Sequence, residues 1–303
     1  ENNLIRGVYH QKQGAFGIWI DFACQGIRIT RNVIYDTQTA TLFLEMNHGP
    51  TLVDNNILIG KRILSNSEAT VFAHNLFVDC EYTFRPDLRR SAYYKPHTRE
   101  AVADKRTAQN DKWFNNIFIR QGPEKVKKVP GVASDCNVFL SDEVTKLNRK
   151  DSPTGVTINF LIHNALFRVK SPWVDAALVG VFPTVGQTIE DRYGNPLKVD
   201  TDFYGKKRTR PIPGPLAAMA GPKIIEWKTA CRTVLGAGSH EPAIRTWTSS
   251  SGKTLEAEFV RMRFGIVYLK KADGKNVTIR LSGLSEEDRK VVLSLSQDIK
   301  AKK

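Results

Sequence analysis

The chain has 303 residues, 41% of them apolar, and a formal charge of +14 from 45 lysines and arginines against 31 aspartates and glutamates. That length allows about two domains and a buried core. The longest apolar runs, Gly14–Ile20 and Ala176–Phe182, fall far short of the roughly 18–20 residues that span a bilayer, which excludes a membrane-spanning helix; the apolar share excludes wholesale disorder. The positive charge is spread along the chain. Its densest blocks, Lys125–Lys128 and Lys206–Arg210, lie among Pro and Gly and are expected as solvated loops or as attraction for acidic polymers, not as a nucleic-acid interface. Cys24, Cys80, Cys136 and Cys231 form neither CxxC pairs nor a dense framework, so no zinc site, disulfide scaffold, metal or cofactor is expected. The chain opens on Glu1 inside a repeat, as a fragment or a processed chain would, and any signal peptide is expected upstream.

An Asn followed by apolar residues recurs at Asn3-Leu4-Ile5, Asn32-Val33-Ile34, Asn56-Ile57-Leu58, Asn75-Leu76-Phe77, Asn116-Ile117-Phe118 and Asn137-Val138-Phe139, with spacings of 29, 24, 19, 41 and 21. Most of these intervals suit one coil of a parallel β-helix. The Asn is expected at a turn, in the left-handed region, hydrogen-bonded to its counterpart on the next coil. The long interval predicts an insertion over about Glu81–Asn110. A leucine-rich repeat shares the period but requires an LxxLxL frame and helices, which the first 140 or so residues lack.

Strand residues alternate faces. In Ile18-Trp19-Ile20-Asp21-Phe22, the residues Ile18, Ile20 and Phe22 are expected inside, with Trp19 and Asp21 outside; in Leu42-Phe43-Leu44-Glu45-Met46, Phe43 and Glu45 are expected outside. Asp21 precedes Asn32 by 11 residues and Glu45 precedes Asn56 by 11, so the two carboxylates hold equivalent places on consecutive coils. Stacked strands are about 4.7–4.9 Å apart, close to the roughly 5–5.5 Å between the carboxyls of a retaining glycosidase. A solvent-exposed acidic ladder is the alternative, though like charges placed opposite each other are destabilising.

The segment Gly17-Ile18-Trp19-Ile20-Asp21-Phe22-Ala23-Cys24-Gln25-Gly26 with Arg31-Asn32 resembles the GIWLDWxxQG…RN segment of glycoside hydrolase family 120, retaining β-xylosidases on a right-handed parallel β-helix. Leu42–Pro50 is similar to its LFVEVNHGP, Leu52–Asn56 to its LVDNN, Tyr93–His97 to its YHKPH and Lys112–Asn116 to its RFYNN, so the resemblance spans roughly residues 1–215. It implies Asp21 as nucleophile and Glu45 as general acid/base. Phe22 stands where the family has Trp, Tyr94 where it has His, and one extra residue separates Asp21 from Glu45. The family's catalytic module begins upstream, with coils that supply part of its sugar pocket. Substrate contacts are expected from Trp19, Phe43, Asn47 and His48, and from Arg90, Lys95 and His97 on the inserted loop. His48 as a backbone-bonded turn residue and the insertion as a solvated loop remain the alternatives. His74 is expected to be structural, Asp54 and Asp111 to cap turns, and Cys24, Cys80 and Cys136 to face the interior.

Beyond the solenoid, residues 1–154, a small β-rich cap over the last coil is expected at 155–205, with a turn at Asp191–Asn195 and a strand at Leu197–Phe203. A Pro/Gly-rich linker is expected at 206–243. Residues 244–303 are expected as an SH3-like barrel with strands Leu255–Arg261, Ile266–Lys270 and Asn276–Leu281 and a terminal helix capped by Ser285. About Ile244–Gln297, this last region resembles the SLA1 homology domain 1, in one relative a binder of NPF-type peptides; a peptide ligand and a plain accessory barrel are both open for it. The expectation is an all-β, secreted or periplasmic bacterial glycosidase acting on a carbohydrate from plant or algal polysaccharide, with no cofactor and no nucleic-acid partner. A carbohydrate-binding β-helix without turnover and a polysaccharide lyase are the alternatives.

Overall fold

The computed structural model describes residues 1–122, 133–141, 146–162, 169–217, 221–228, 244–263 and 265–292, in two compact units, Glu1–Thr229 and Ala230–Lys303. The block Lys125–Lys128, Cys231, residues 229–243 of the expected linker and the end of the terminal helix lie outside the described residues.

The first unit is a parallel β-helix. One sheet stacks Leu4–Ile5, Val33–Tyr35, Ile57–Ile59, Leu76–Val78, Ile117–Ile119 and Val138–Leu140, each strand following a repeat asparagine. A second stacks Phe16–Ile20, Ala40–Leu44, Arg62–Ser65 and Glu81–Phe84. A third stacks Ile27–Thr30, Thr51–Asp54, Thr70–Ala73, Lys112–Phe114 and Ala133–Asp135. The asparagines form a continuous ladder. Asn56 Oδ1 accepts from both the backbone N–H and the Nδ2 of Asn32, each at 2.9 Å, and Asn75, Asn116 and Asn137 repeat the pattern. The remaining amide hydrogen of Asn56 goes to the Ile29 carbonyl, and those of Asn75, Asn116 and Asn137 to Val53, Phe72 and Trp113. An orphaned buried amide would cost about 1–3 kcal/mol, so complete pairing makes each coil specify the next.

The left-handed turn falls one residue earlier than the sequence suggested. Asn2, Arg31, Asn55, His74, Asn115 and Cys136, each just before a ladder asparagine, have φ between 54° and 58°. That corner turns the following Asn so that its N–H and side chain both face the next coil. Inside, Leu42, Leu44, Leu58, Ile63 and Phe77 form the core, with rings stacked coil on coil: Phe72 on Trp113 at 3.8 Å and Phe77 on Phe118 at 4.9 Å between centroids. Cys80 is buried there, and burial pushes its thiol up to about 12; Cys24 and Cys136 are half-buried.

Several boundaries differ from those read off the sequence. Glu81–Phe84 pairs with Arg62–Ser65 as a regular coil strand, so the insertion starts after Phe84. It carries a hairpin, Ser91–Tyr94 with Ala101–Lys105. The described residues between 148 and 228 pack against the sides of the coils. Asn148–Ser152, Gly155–Ile162 and Gly221–Lys228 form an antiparallel sheet whose Val156, Ile158, Phe160 and Ile225 pack on Val33, Ile57, Leu76 and Ile117, the outer side of the asparagine sheet. Gly221–Lys228 was expected within the linker. Residues 169–217 cover the third sheet, with Val174, Val179, Phe182 and Val199 against Leu52, Val71 and Phe114. Leu197–Phe203 is not a strand; it makes isolated bridges between the Asp191 and Asp202 turns. Arg208, expected in a solvated block, is 3% exposed and donates to Asn55 Oδ1 at 2.7 Å and to the Gly214 and Leu216 carbonyls. Burial pulls its guanidinium down to about 10.

The second unit pairs Arg245–Thr248, Thr254–Arg263, Ile266–Lys270 and Asn276–Arg280 antiparallel around Trp247, Ala257, Val267, Leu269 and Leu284. A helix begins at residue 286, where Ser285 Oγ accepts from the Asp288 N–H at 3.2 Å; Asp288 Oδ1 pairs with Arg245 at 2.6 Å. No helix among the described residues is long and apolar enough to cross a membrane.

Asp111 closes the insertion onto the coil. It is fully buried, accepts from the Thr70 N–H at 3.1 Å and from the Tyr82 hydroxyl, and burial pushes its carboxyl from 3.8 up to about 6. The folded state therefore holds this proton more tightly than the unfolded chain. Its contribution is greatest below pH 4 and is lost as pH rises through 6. Asp111→Asn keeps an acceptor for Thr70 and removes the titration. Its stability relative to wild type is expected to rise by up to about 3 kcal/mol between pH 4 and pH 7. Denaturant unfolding of both proteins across that range checks this.

Candidate active site

The second sheet sets side by side the two strands that lead into the carboxylates. Phe16–Ile20 and Ala40–Leu44 run parallel, with Trp19 beside Phe43 and Ile20 beside Leu44. The ladder continues past the strand ends: the Glu45 N–H donates to the Ile20 carbonyl at 2.8 Å and the Ala23 N–H to the Met46 carbonyl at 3.3 Å. Asp21 directly follows Ile20 and Glu45 directly follows Leu44, at the ends of these paired strands. Asn47 joins the two strand ends. Its Oδ1 accepts from the Cys24 N–H at 2.8 Å and its Nδ2 donates to the Ile20 carbonyl at 3.0 Å, so the turns after both strands are tied to each other.

Glu45 is 8% exposed, and both its oxygens are engaged. The Trp19 indole N–H donates to Oε2 at 3.0 Å, and Arg89 Nη2 donates to Oε1 at 2.6 Å. Arg89 comes from the insertion and also grips Asp87, Nη2 to Oδ2 at 2.7 Å and Nε to Oδ2 at 3.0 Å; Asn66, one coil beyond Glu45, donates to the same Asp87 oxygen at 3.2 Å. These carboxylates hold the Arg89 guanidinium above its ordinary value, and Arg89 holds Asp87 below the usual carboxylate range. Asp21 is exposed and accepts from the Phe22 N–H at 2.7 Å. Trp19, half-exposed, stacks on Phe43 at 5.6 Å, and Phe16 packs on both. Phe22, expected inside, lies beyond the strand end and is 44% exposed, with the Arg89 guanidinium 5.9 Å from its ring centroid. The result is two carboxylates beside an aromatic surface, suited to acid/base or nucleophilic attack on a sugar stacked against the rings. Among the described residues no group of three His, Cys, Asp or Glu converges to hold a metal.

The other expected contacts are dispersed. Asn47 is fully buried in the role just described. His48 is 1% exposed, with Nδ1 2.5 Å from Glu68 Oε1 and Nε2 2.9 Å from the Ser91 carbonyl oxygen and 3.0 Å from Ser91 Oγ, out of reach of a sugar hydroxyl. Glu68 Oε2 accepts from the Ala108 N–H and from Thr184 Oγ1, each at 3.1 Å. One buried His–Glu pair therefore ties the start of the hairpin, the end of the insertion and the covering segment to the coil. Gly49 permits this fit: at φ 70° its missing Cβ would lie 2.6 Å from the Ala69 carbonyl oxygen. Arg90 is exposed, Lys95 pairs with Glu100 on its own hairpin, and His97 pairs with Glu190 at 3.1 Å. Gln25 exchanges two hydrogen bonds with the Tyr94 backbone, which pins the hairpin near Asp21. His74 is buried with Nδ1 on the Ile212 carbonyl, and burial holds it well below the ordinary histidine value. Asp54, expected as a turn cap, is buried and takes a two-point contact from Arg28. Arg89, Asp87 and Glu68 were missed: in Asp87-Leu88-Arg89-Arg90 only the fold distinguishes the arginine that reaches Glu45 from its neighbour.

One family model matches the chain: the SLA1 homology domain 1, SHD1, over residues 238–298. A solved structure described as the complex of XylC with xylose is similar at a TM-score of 0.60 and 24% identity. The match covers 70% of this chain and 41% of that one, so this chain spans less than half the length of that relative. No curated protein matches. The chain is a parallel β-helix protein of the XylC fold, and it carries an SHD1 domain near its C-terminus.

The His48–Glu68 pair gives a direct test of how the site is held. His48→Ala strands a buried carboxylate and is expected to cost about 3–5 kcal/mol. It should also speed amide exchange across Ser91–Lys105. His97→Ala, at an exposed pair, is expected to cost less than about 1 kcal/mol and to leave that exchange unchanged. Hydrogen exchange with denaturant unfolding measures both.

Proposed function

We propose that the β-helix is a retaining glycosidase of the family 120 type, acting on β-xylosides. Asp21 attacks the anomeric carbon, and Glu45 protonates the leaving oxygen and then activates water. The observation that supports this is the pairing of the strands that end in Asp21 and Glu45, with Ile20 beside Leu44 and Trp19 stacked on Phe43. Inverting enzymes separate the carboxyls by roughly 6.5–9.5 Å to admit a water, more than one strand spacing provides. The likeness to the xylose complex of XylC supports the sugar class. A carbohydrate-binding solenoid without turnover is the second proposal, favoured by one observation: both Glu45 oxygens are engaged by Trp19 and Arg89.

Variants with an activated aryl β-xyloside separate these roles. Wild type is expected to release xylose of retained configuration. Asp21→Ala should lose about 10²-fold or more. Glu45→Ala should still be glycosylated, because the activated leaving group needs no proton, and then stall; azide should rescue it as a glycosyl azide of retained configuration. Proton NMR of the first product reads the outcome. Inverted product refutes the retaining mechanism, and binding without any turnover supports the second proposal.

A further inference from the structure

Glu45 poses a chemical problem if, as proposed above, it is the acid. A general acid needs an oxygen that carries a proton and faces the leaving group. Here one oxygen accepts from Trp19 and the other from a guanidinium, which has only donors. We propose that Arg89 is a shuttling positioning residue: its transfer from Glu45 onto Asp87 frees Glu45 Oε1 to take the catalytic proton, and a sugar competing for that oxygen drives the transfer.

The geometry of the shared arginine supports this. Arg89 Nη2 touches Glu45 Oε1 at 2.6 Å and Asp87 Oδ2 at 2.7 Å, while Nε reaches Asp87 Oδ1 at 3.1 Å and Oδ2 at 3.0 Å. Asp87 thus holds the guanidinium by its fork, and Glu45 holds it by a single contact. Leaving Glu45 strands no cation, because the stronger partner is already in place. Asp87 is itself fixed, accepting from the Arg89 backbone N–H at 2.8 Å and from Asn66 Nδ2 at 3.2 Å. The Arg89 side chain is 53% exposed, so packing does not oppose the movement. Glu45 accepts from Trp19 of the preceding coil and from Arg89 of the insertion, with Asp87 behind Arg89; Asn66 and then Arg85 hold the matching position on the next two coils, and Asp21 follows Ile20 on the coil before. Arg89 is therefore the cation in contact with it. In the step, solvent supplies a proton to Oε1 and Glu45 passes it to the leaving oxygen as the glycosidic bond breaks. Glu45 then returns to the carboxylate.

Carbon NMR of the full chain with labelled Glu carboxyls, assigned through Glu45→Gln, follows the Glu45 titration without requiring turnover. Arg89→Met, which removes the cation in contact with Oε1, is expected to raise its midpoint above that of wild type. Arg89→Lys should fall between that variant and wild type, and Asp87→Asn, which leaves Arg89 only Glu45, should lower the midpoint. Saturating xylose should raise the wild-type midpoint and leave that of Arg89→Met unchanged. An Arg89→Met midpoint equal to wild type overturns the proposal. Xylose that binds without moving the Glu45 titration rejects the shuttle alone. Xylose that changes nothing in the spectrum rejects the xyloside site, and the shuttle with it.

Discussion

The hydrogen bonds between asparagines on successive coils are the constraint on which the rest of the β-helix depends. Each Oδ1 from Asn32 to Asn137 accepts two hydrogens from the Asn of the coil before it. A slip of one residue in any coil would leave buried amides unpaired and turn that coil's apolar set outward. Coils of unequal length, 24 and 19 residues among them, are thereby forced into one vertical register. The strands that end in Asp21 and Glu45 inherit it, and past their ends the Glu45–Ile20 and Ala23–Met46 backbone bonds and the Asn47 clamp join the two turns.

The three sheets then divide the work. The antiparallel sheet covers the outer side of the asparagine sheet, and residues 169–217 cover the third, using apolar side chains and the buried Arg208. The second sheet keeps Trp19 half-exposed beside Phe43. The strands that lead into Asp21 and Glu45 belong to this sheet. The insertion supplies what the coils cannot, a cation against Glu45, and the buried His48–Glu68 pair holds its base. The coils thus carry the carboxylates, and an exposed arginine from the insertion contacts Glu45.

The coil stack, the pairing of the strands that lead into Asp21 and Glu45, and the outward aromatics were legible in the sequence, because each follows from a period: the recurring Asn, the common offset of 11, and the alternation of strand faces. The left-handed corner was misplaced by one residue because Arg31, His74 and Cys136 give no local sign of that conformation; the ladder imposes it on them. The strand Gly221–Lys228 was hidden because its partner, Gly155–Ile162, lies far away in sequence and the stretch between is rich in Pro and Gly. Arg208 and His48 look like surface residues in a basic run and a polar turn. Their burial is decided by segments that fold over them, as is the choice of Arg89 over Arg90.

The separation of the Asp21 and Glu45 carboxyl carbons in a crystal structure tests the central claim most directly. The ladder and the paired strands that lead into the two carboxylates predict about 5–5.5 Å, with both groups on the face that carries Trp19. A separation beyond roughly 6.5 Å, or carboxylates on opposite faces, would contradict it.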